Sequence, residues 1–175
     1  MVVPKYAILE NERRFLVDPA RAPDLAGVGF RRIEDRYVIG TRLRLRSMID
    51  SVTGAVERKF CKKYGGDDPV SGPITNLYLD AAEHAALAAL PARVILKRRY
   101  RLDHGGRGFG LDLFEGELAG LMLCEAEAES REAVLALAFP PWCGPEVTAD
   151  PFFTGGALSG TDAAALADRL KSVLS

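Results

Sequence analysis

The sequence predicts a mainly β (α+β) fold: an eight-stranded antiparallel barrel, closed on itself, with helices packed outside. Three observations carry this. About eight segments have the composition and alternation of strands. The segments follow one another through short turns with no βαβ rhythm, which argues against a parallel sheet. Charged residues recur on one face of strand after strand while their neighbours are strongly apolar. A closed barrel accounts for this by placing the charged set in the lumen and the apolar set beneath covering helices, and it leaves no free sheet edge.

The strands are expected at 5–17, 29–39, 41–49, 55–64, 74–80, 93–103, 108–114 and 121–129. Strand side chains alternate with a period of 2. LENERRFLV in the first segment therefore puts Glu10, Glu12 and Arg14 on one face. TRLRLRS does the same for Arg42, Arg44 and Arg46, with Leu43 and Leu45 opposite. VERKFCKK sets Lys59 and Lys63 against Arg58 and Lys62. After the turn GGDDPVSGP (65–73) comes TNLYLD, and a helix over 80–90 opens with Asp80 as N-cap and stops before Pro91. VILKRRYR then groups Lys97, Arg99 and Arg101, and the turn HGGRG (104–108) leads into GLDLF with Asp112 between two leucines. LCEAEAES groups Glu125, Glu127 and Glu129. Helices are expected at 130–138 and at 161–174, the latter opening with Thr161 or Asp162.

A chain of 175 residues suits one domain over 1–175, with a core of about 5–158 and a C-terminal helix at 161–174. Hydrophobic residues make up 48% and charged residues 27%, which is globular rather than disordered. The net charge of -1 gives no global reason to expect nucleic acid or an anionic membrane as partner. No apolar run approaches the roughly 18 residues of a spanning helix, and MVVPKYAILENERR lacks a signal-peptide pattern. Cys61, Cys124 and Cys143 fit neither a zinc spacing nor a disulfide framework, so reduced thiols and a cytoplasmic location are expected.

A lumen lined by clustered arginine and lysine repels itself unless a polyanion fills it. Carboxylates among the bases offset that repulsion and offer hard oxygen ligands to Mg2+ or Mn2+. The pattern describes a site for a metal-bound oligophosphate, with arginine giving planar two-point contacts and lysine a compact charge.

These segments, in this order, resemble the CYTH family, the triphosphate tunnel metalloenzymes. ENERRFLV is similar to the family's amino-terminal E-x-E-x-K signature at Glu10, Glu12 and Arg14; RLRLR to its paired-arginine strand at Arg44 and Arg46; KRRY to its Lys-x-Arg strand at Lys97 and Arg99. FGLDLFEGELAGLMLCEAEAES resembles the hairpin that carries an Asp and then an E-x-E, here Asp112, Glu125 and Glu127. PPWCGPEVTADPFFTGGALS is similar to the stretch after the penultimate helix. The resemblance implies an eight-stranded tunnel that hydrolyses inorganic, thiamine or nucleoside triphosphates, and some members are known as adenylate cyclases. It implies that Arg44, Arg46, Lys97, Arg99 and one of Lys59 or Lys62 bind phosphate. Glu10, Glu12, Asp112, Glu125 and Glu127 would hold metal, with Glu125 or Glu127 aiming the water and Arg14 positioning the terminal group. The sequence departs from the pattern at Arg14, in place of Lys, and at Asn76, Tyr78 and Gly110, where glutamates are common.

Three functions follow: a metal-dependent triphosphatase, a non-catalytic polyphosphate or nucleotide binder, which the missing carboxylates encourage, and an adenylate cyclase, for which no purine pocket is legible. The expected partner is a triphosphate-containing small molecule, with no nucleic acid and no membrane; a homodimer is left open.

Overall fold

The computed structural model describes residues 3–174. Its strands are β1 Ile8–Val17, β2 Phe30–Val38, β3 Leu43–Asp50, β4 Val56–Lys63, β5 Ser71–Tyr78, β6 Ala92–His104, β7 Arg107–Phe114, β8 Met122–Ala128 and β9 Cys143–Glu146. Neighbours follow the order β5-β4-β3-β2-β6-β7-β8-β1-β9, all antiparallel, and β1 also pairs with β5. That last pairing closes eight strands into the expected barrel. One edge of β1 is shared: its first residues, Ile8–Asn11, pair with β5, and Phe15 and Val17 pair with β9.

The expected strands stand within a few residues of their predicted limits. The largest shifts are at the starts of β1, which begins at Ile8, and of β5, which begins at Ser71 inside the expected turn. Pro73 joins the ladder there because its carbonyl still accepts from the Tyr64 N–H at 3.0 Å, a bond that its missing N–H does not prevent. The strand β9 was not expected: CGPE contains glycine and proline and has no β signature. The β6–β7 hairpin turns at Gly105 and Gly106, with φ of 62° and 77°, the positive values that a tight two-residue turn requires.

The helices are α1 Ala81–Ala88, α2 Arg131–Leu135, α3 Gly155–Leu158 and α4 Ala163–Leu174. Asp80 caps α1 in a reciprocal box with Glu83. Asp162, rather than Thr161, opens α4, its carboxylate accepting from the Ala165 N–H at 2.8 Å. The second helix ends at Leu135, short of the predicted 138: the Leu135 and Leu137 carbonyls accept from Arg13, and Pro140 and Pro141 follow.

Two cores hold the barrel. The outward faces of β6, β7 and β8 bury Tyr100, Phe109, Leu111 and Cys124 against the segments around Leu25 and Phe139. The inward faces turn apolar at one end, where Leu16, Ile95, Phe114 and Leu123 meet Val147, Phe153, Leu158 and Leu166 of the C-terminal segment. The chain thus caps one side of its own lumen. Phe153 is 1% exposed at the centre of that cap. A Phe153→Ala variant should lose about 3–5 kcal/mol of unfolding free energy in urea denaturation, the range for an aromatic truncated in a packed core.

Candidate functional site

The lumen encloses a cavity of about 560 Å³. Glu10, Glu12 and Arg14 of β1, Arg44 and Arg46 of β3, Lys97 and Arg99 of β6, and Glu125 and Glu127 of β8 all line it. The alternation read from sequence is therefore the inward face of these strands. The cavity reaches the loops at Thr41–Arg42, Gly65–Gly66 and Thr154–Gly156.

Neighbouring strands present opposite charges to one another. Asp35 of β2 takes Arg46 in a two-point contact at 2.6 and 2.7 Å, with the Arg44 Nε 3.5 Å away. Asp112 of β7 takes the Lys97 Nζ at 2.5 Å and the Arg99 Nε and Nη2 at 2.6 Å each. Arg99 also reaches Glu125. Arg14 donates to the Glu12 Oε1 at 2.6 Å and to the Phe153 carbonyl at 2.8 Å, and its Nε faces the Glu125 Oε1 at 3.1 Å. Burial pushes the carboxyls of Asp35 and Glu125 up, and the adjacent cations outweigh it: Arg46 and Arg44 hold Asp35 far below the usual range, and Arg99, Lys97 and Arg14 do the same for Glu125. Burial pushes the Lys97 ammonium down despite Asp112 beside it.

Glu10, Glu12 and Glu127 form the one acidic cluster with metal-ligand spacing among the described residues, with oxygens within 4.8 Å of one another. Lys63 lies against two of them, its Nζ 2.5 Å from the Glu10 Oε2 and 3.3 Å from the Glu12 Oε1. Glu12 is held below its usual pKa, since Lys63 and Arg14 outweigh the effect of burial. Glu127 goes the other way, raised by burial and by the neighbouring Glu10 and Glu12. Three convergent carboxylates, one of them strained by like charge, are a donor set that fits a hard divalent cation.

Several expected site residues stand elsewhere. Lys62 points out of the barrel, its Nζ 5.1 Å from the Tyr64 ring. Lys59 shares the inward parity but pairs with Glu57 at 2.9 Å and does not line the cavity. The β4 lysine of the lumen is Lys63. Asp112 is fully buried behind Lys97 and Arg99 and saturated by them, so it supports cations instead of facing the cavity. Glu125 is engaged by two guanidiniums and stands apart from the acidic cluster. Asn76, Tyr78 and Gly110 do not line the cavity; Tyr78 is exposed, and Gly110 lies under Arg99, whose Cδ would be 3.5 Å from a Cβ there. Asp35 and Tyr37 line the lumen and were not singled out from sequence. Their signal was their shared parity with Ile33 in FRRIEDRYV, hidden among outward charges.

No family model matches the chain. Over 73 residues it is 46% identical to an inorganic triphosphatase of Nitrosomonas europaea, covering 41% of this chain, so the match spans about half (48%) of the relative's length. Among solved structures, that of the inorganic triphosphatase NE1496 is 27% identical, covering 92% of this chain and 97% of that one, with a TM-score of 0.55. A second structure of NE1496 is 29% identical and covers 87% and 99%, with a TM-score of 0.56. No helix among the described residues is long and apolar enough to cross a membrane.

The pairing has two measurable consequences. Asp112→Asn leaves Lys97 and Arg99 short of a buried counter-charge and should cost about 3–5 kcal/mol in urea denaturation; unchanged stability with lost metal binding would instead make Asp112 a ligand. Asp35, with its folded-state pKa depressed, contributes stability that is complete above the unfolded value near 3.9 and is lost as pH falls from there through the folded value. The drop in melting temperature below about pH 4 should therefore be shallower in Asp35→Asn, from a lower starting point at neutral pH.

Proposed function

We propose that this chain is a member of the triphosphate tunnel metalloenzyme (CYTH) family and a divalent-metal-dependent triphosphatase acting inside its barrel. One observation carries the reading: a row of guanidinium and ammonium groups, from Arg44 and Arg46 to Lys97 and Arg99, shares the barrel cavity with a three-carboxylate cluster. The likeness to inorganic triphosphatases supports it and makes inorganic triphosphate the first substrate to test, ahead of nucleoside or thiamine triphosphates.

Phosphoryl transfer asks a protein mainly for positioning and charge neutralisation. Arg44, Arg46, Lys63, Lys97 and Arg99 clamp the phosphate chain. Asp35 orients Arg44 and Arg46, and Asp112 orients Lys97 and Arg99 from behind, so little reorganisation remains at these four when substrate arrives. Glu10, Glu12 and Glu127 would hold Mg2+ or Mn2+, which supplies charge neutralisation at the phosphate oxygens and a template for the attacking water. Glu127, at the exposed edge of the cluster, is assigned to orient that water. Arg14 and Glu125 keep this acidic wall in register. Three free thiols accord with a cytoplasmic setting.

Asp112 and Glu125 are taken up by cations, which leaves Glu10, Glu12 and Glu127 as the converging carboxylates among the described residues and favours a second reading, a tunnel that binds polyphosphate without cutting it. Phosphate release from inorganic triphosphate, with ATP in parallel and with Mg2+ or Mn2+, separates the two. Release should disappear with chelator and in a Glu10→Gln, Glu12→Gln double variant. Absent release, with triphosphate still raising the melting temperature, selects the binder. Arg44→Ala and Arg46→Ala should each weaken triphosphate binding about tenfold or more by calorimetry, as expected for loss of a charge-assisted contact of about 1.5–3 kcal/mol; unchanged affinity would remove the clamp.

A further inference from the structure

Beside Arg14, running from the outer face of the barrel to Thr148 at the cavity wall, lies a hydrogen-bonded chain that the tunnel chemistry described above does not use. Arg13 has its guanidinium 5.0 Å from the Phe15 ring centroid and 5.2 Å from that of Phe139. From there it grips Glu146 at two points, 2.9 and 2.7 Å. The Glu146 Oε1 accepts from the Thr148 hydroxyl at 2.7 Å. The Thr148 Oγ1 in turn accepts from the backbone N–H of Arg14 at 2.9 Å. A hydroxyl has one proton to give. With that proton on Glu146, a lone pair is left for Arg14.

This bond replaces one the sheet does not make. Along that edge of β1, pairing with β5 ends at Asn11 and the β9 register slips between Phe15 and Val17. The Arg14 carbonyl is met by the Val147 N–H at 2.8 Å, but the Arg14 N–H has a side chain, not a carbonyl, as its acceptor. Thr148 is 7% exposed, so water does not readily take its place. On the inner side, the Arg14 guanidinium spans Glu12, Glu125 and the Phe153 carbonyl. One residue thus has its backbone set by Thr148 and its side chain bracing two carboxylates.

We propose that Thr148 is a positioning residue: its hydroxyl, oriented by Glu146 and Arg13, fixes Arg14 and through it the placement of Glu12 and Glu125. The inference rests on the triphosphatase reading for its kinetic consequence, though not for its structural one. A shift of about 1 Å in a catalytic arrangement can lower a rate on the order of 100-fold.

The test uses the full chain with Thr148→Val, Thr148→Ala and Thr148→Ser. The first two remove the hydroxyl with and without the branched shape; the third keeps the hydroxyl and drops the methyl. Triphosphate hydrolysis at saturating Mg2+ is followed together with the NMR signal of the Arg14 Nε–H. Removal of the hydroxyl should lower kcat about 10- to 100-fold with KM changed less than about threefold, and should shift or broaden the Arg14 signal. Thr148→Ser should restore both. Three results overturn the proposal: wild-type kcat in a folded Val or Ala variant, a Ser variant as slow as Val, or a rise in KM alone. If the wild-type chain hydrolyses nothing, the triphosphatase reading falls and the Arg14 signal decides the relay by itself: unchanged in Val and Ala, it rejects it.

Discussion

Charges enclosed in a barrel must be matched where they stand, because little water reaches them to do it. This constraint organises the lumen. The cations that line the cavity from β3, β4 and β6 have carboxylates on the next strand or the one beyond: Arg44 and Arg46 have Asp35, Lys97 and Arg99 have Asp112, and Lys63 has Glu10 and Glu12. Matching is least complete where function would need it to be. Glu127 faces like charge from Glu10 and Glu12, and the Arg44 Nε is buried without a hydrogen-bond acceptor. An anion beside Arg44 and a cation beside Glu127 would complete both.

Parity, and therefore which face of each strand turns inward, is legible from sequence because it needs no knowledge of partners. Glu10, Glu12, Arg44, Arg46, Lys97, Arg99 and Glu127 were readable in this way. Depth is another matter. Asp112 has the right parity but lies behind the wall, and only register reveals this. The glycine turn of the β6–β7 hairpin sets that register and puts Asp112 opposite Arg99. For β4, parity grouped Lys59 with Lys63, and the choice between them depends on where β4 lies along β5 and β5 along β1 at the closure, the latter a pairing distant in sequence. The strand β9 was invisible for a different reason: CGPE is held by its neighbours and not by its own propensity.

The C-terminal segment carries more than a lid's share of the site. Its apolar residues fill one end of the lumen, its Phe153 carbonyl accepts from Arg14, and its Thr148 serves the Arg14 backbone. The cap and the acidic wall are one structure, so a change that loosens either will be felt in the other. The tight approach of Gly155 to the Tyr37 hydroxyl, which leaves no room for a Cβ, extends the same coupling to β2.

The shared edge of β1 also dictates the order of assembly. The strand β1, which precedes the other eight in the chain, is bonded to β8 and β9, with contacts such as Arg13–Glu146 spanning 133 positions. Closure therefore waits for nearly the whole chain, and folding dominated by such distant pairing is intrinsically slow. Meanwhile β1 is a lone strand with open edges, the kind of segment that pairs with the wrong chain. Its Glu10, Glu12, Arg13 and Arg14 make it a poor template for that. Glu10 and Glu12, proposed to hold metal in the finished tunnel, would earlier have helped to keep the nascent strand from aggregating.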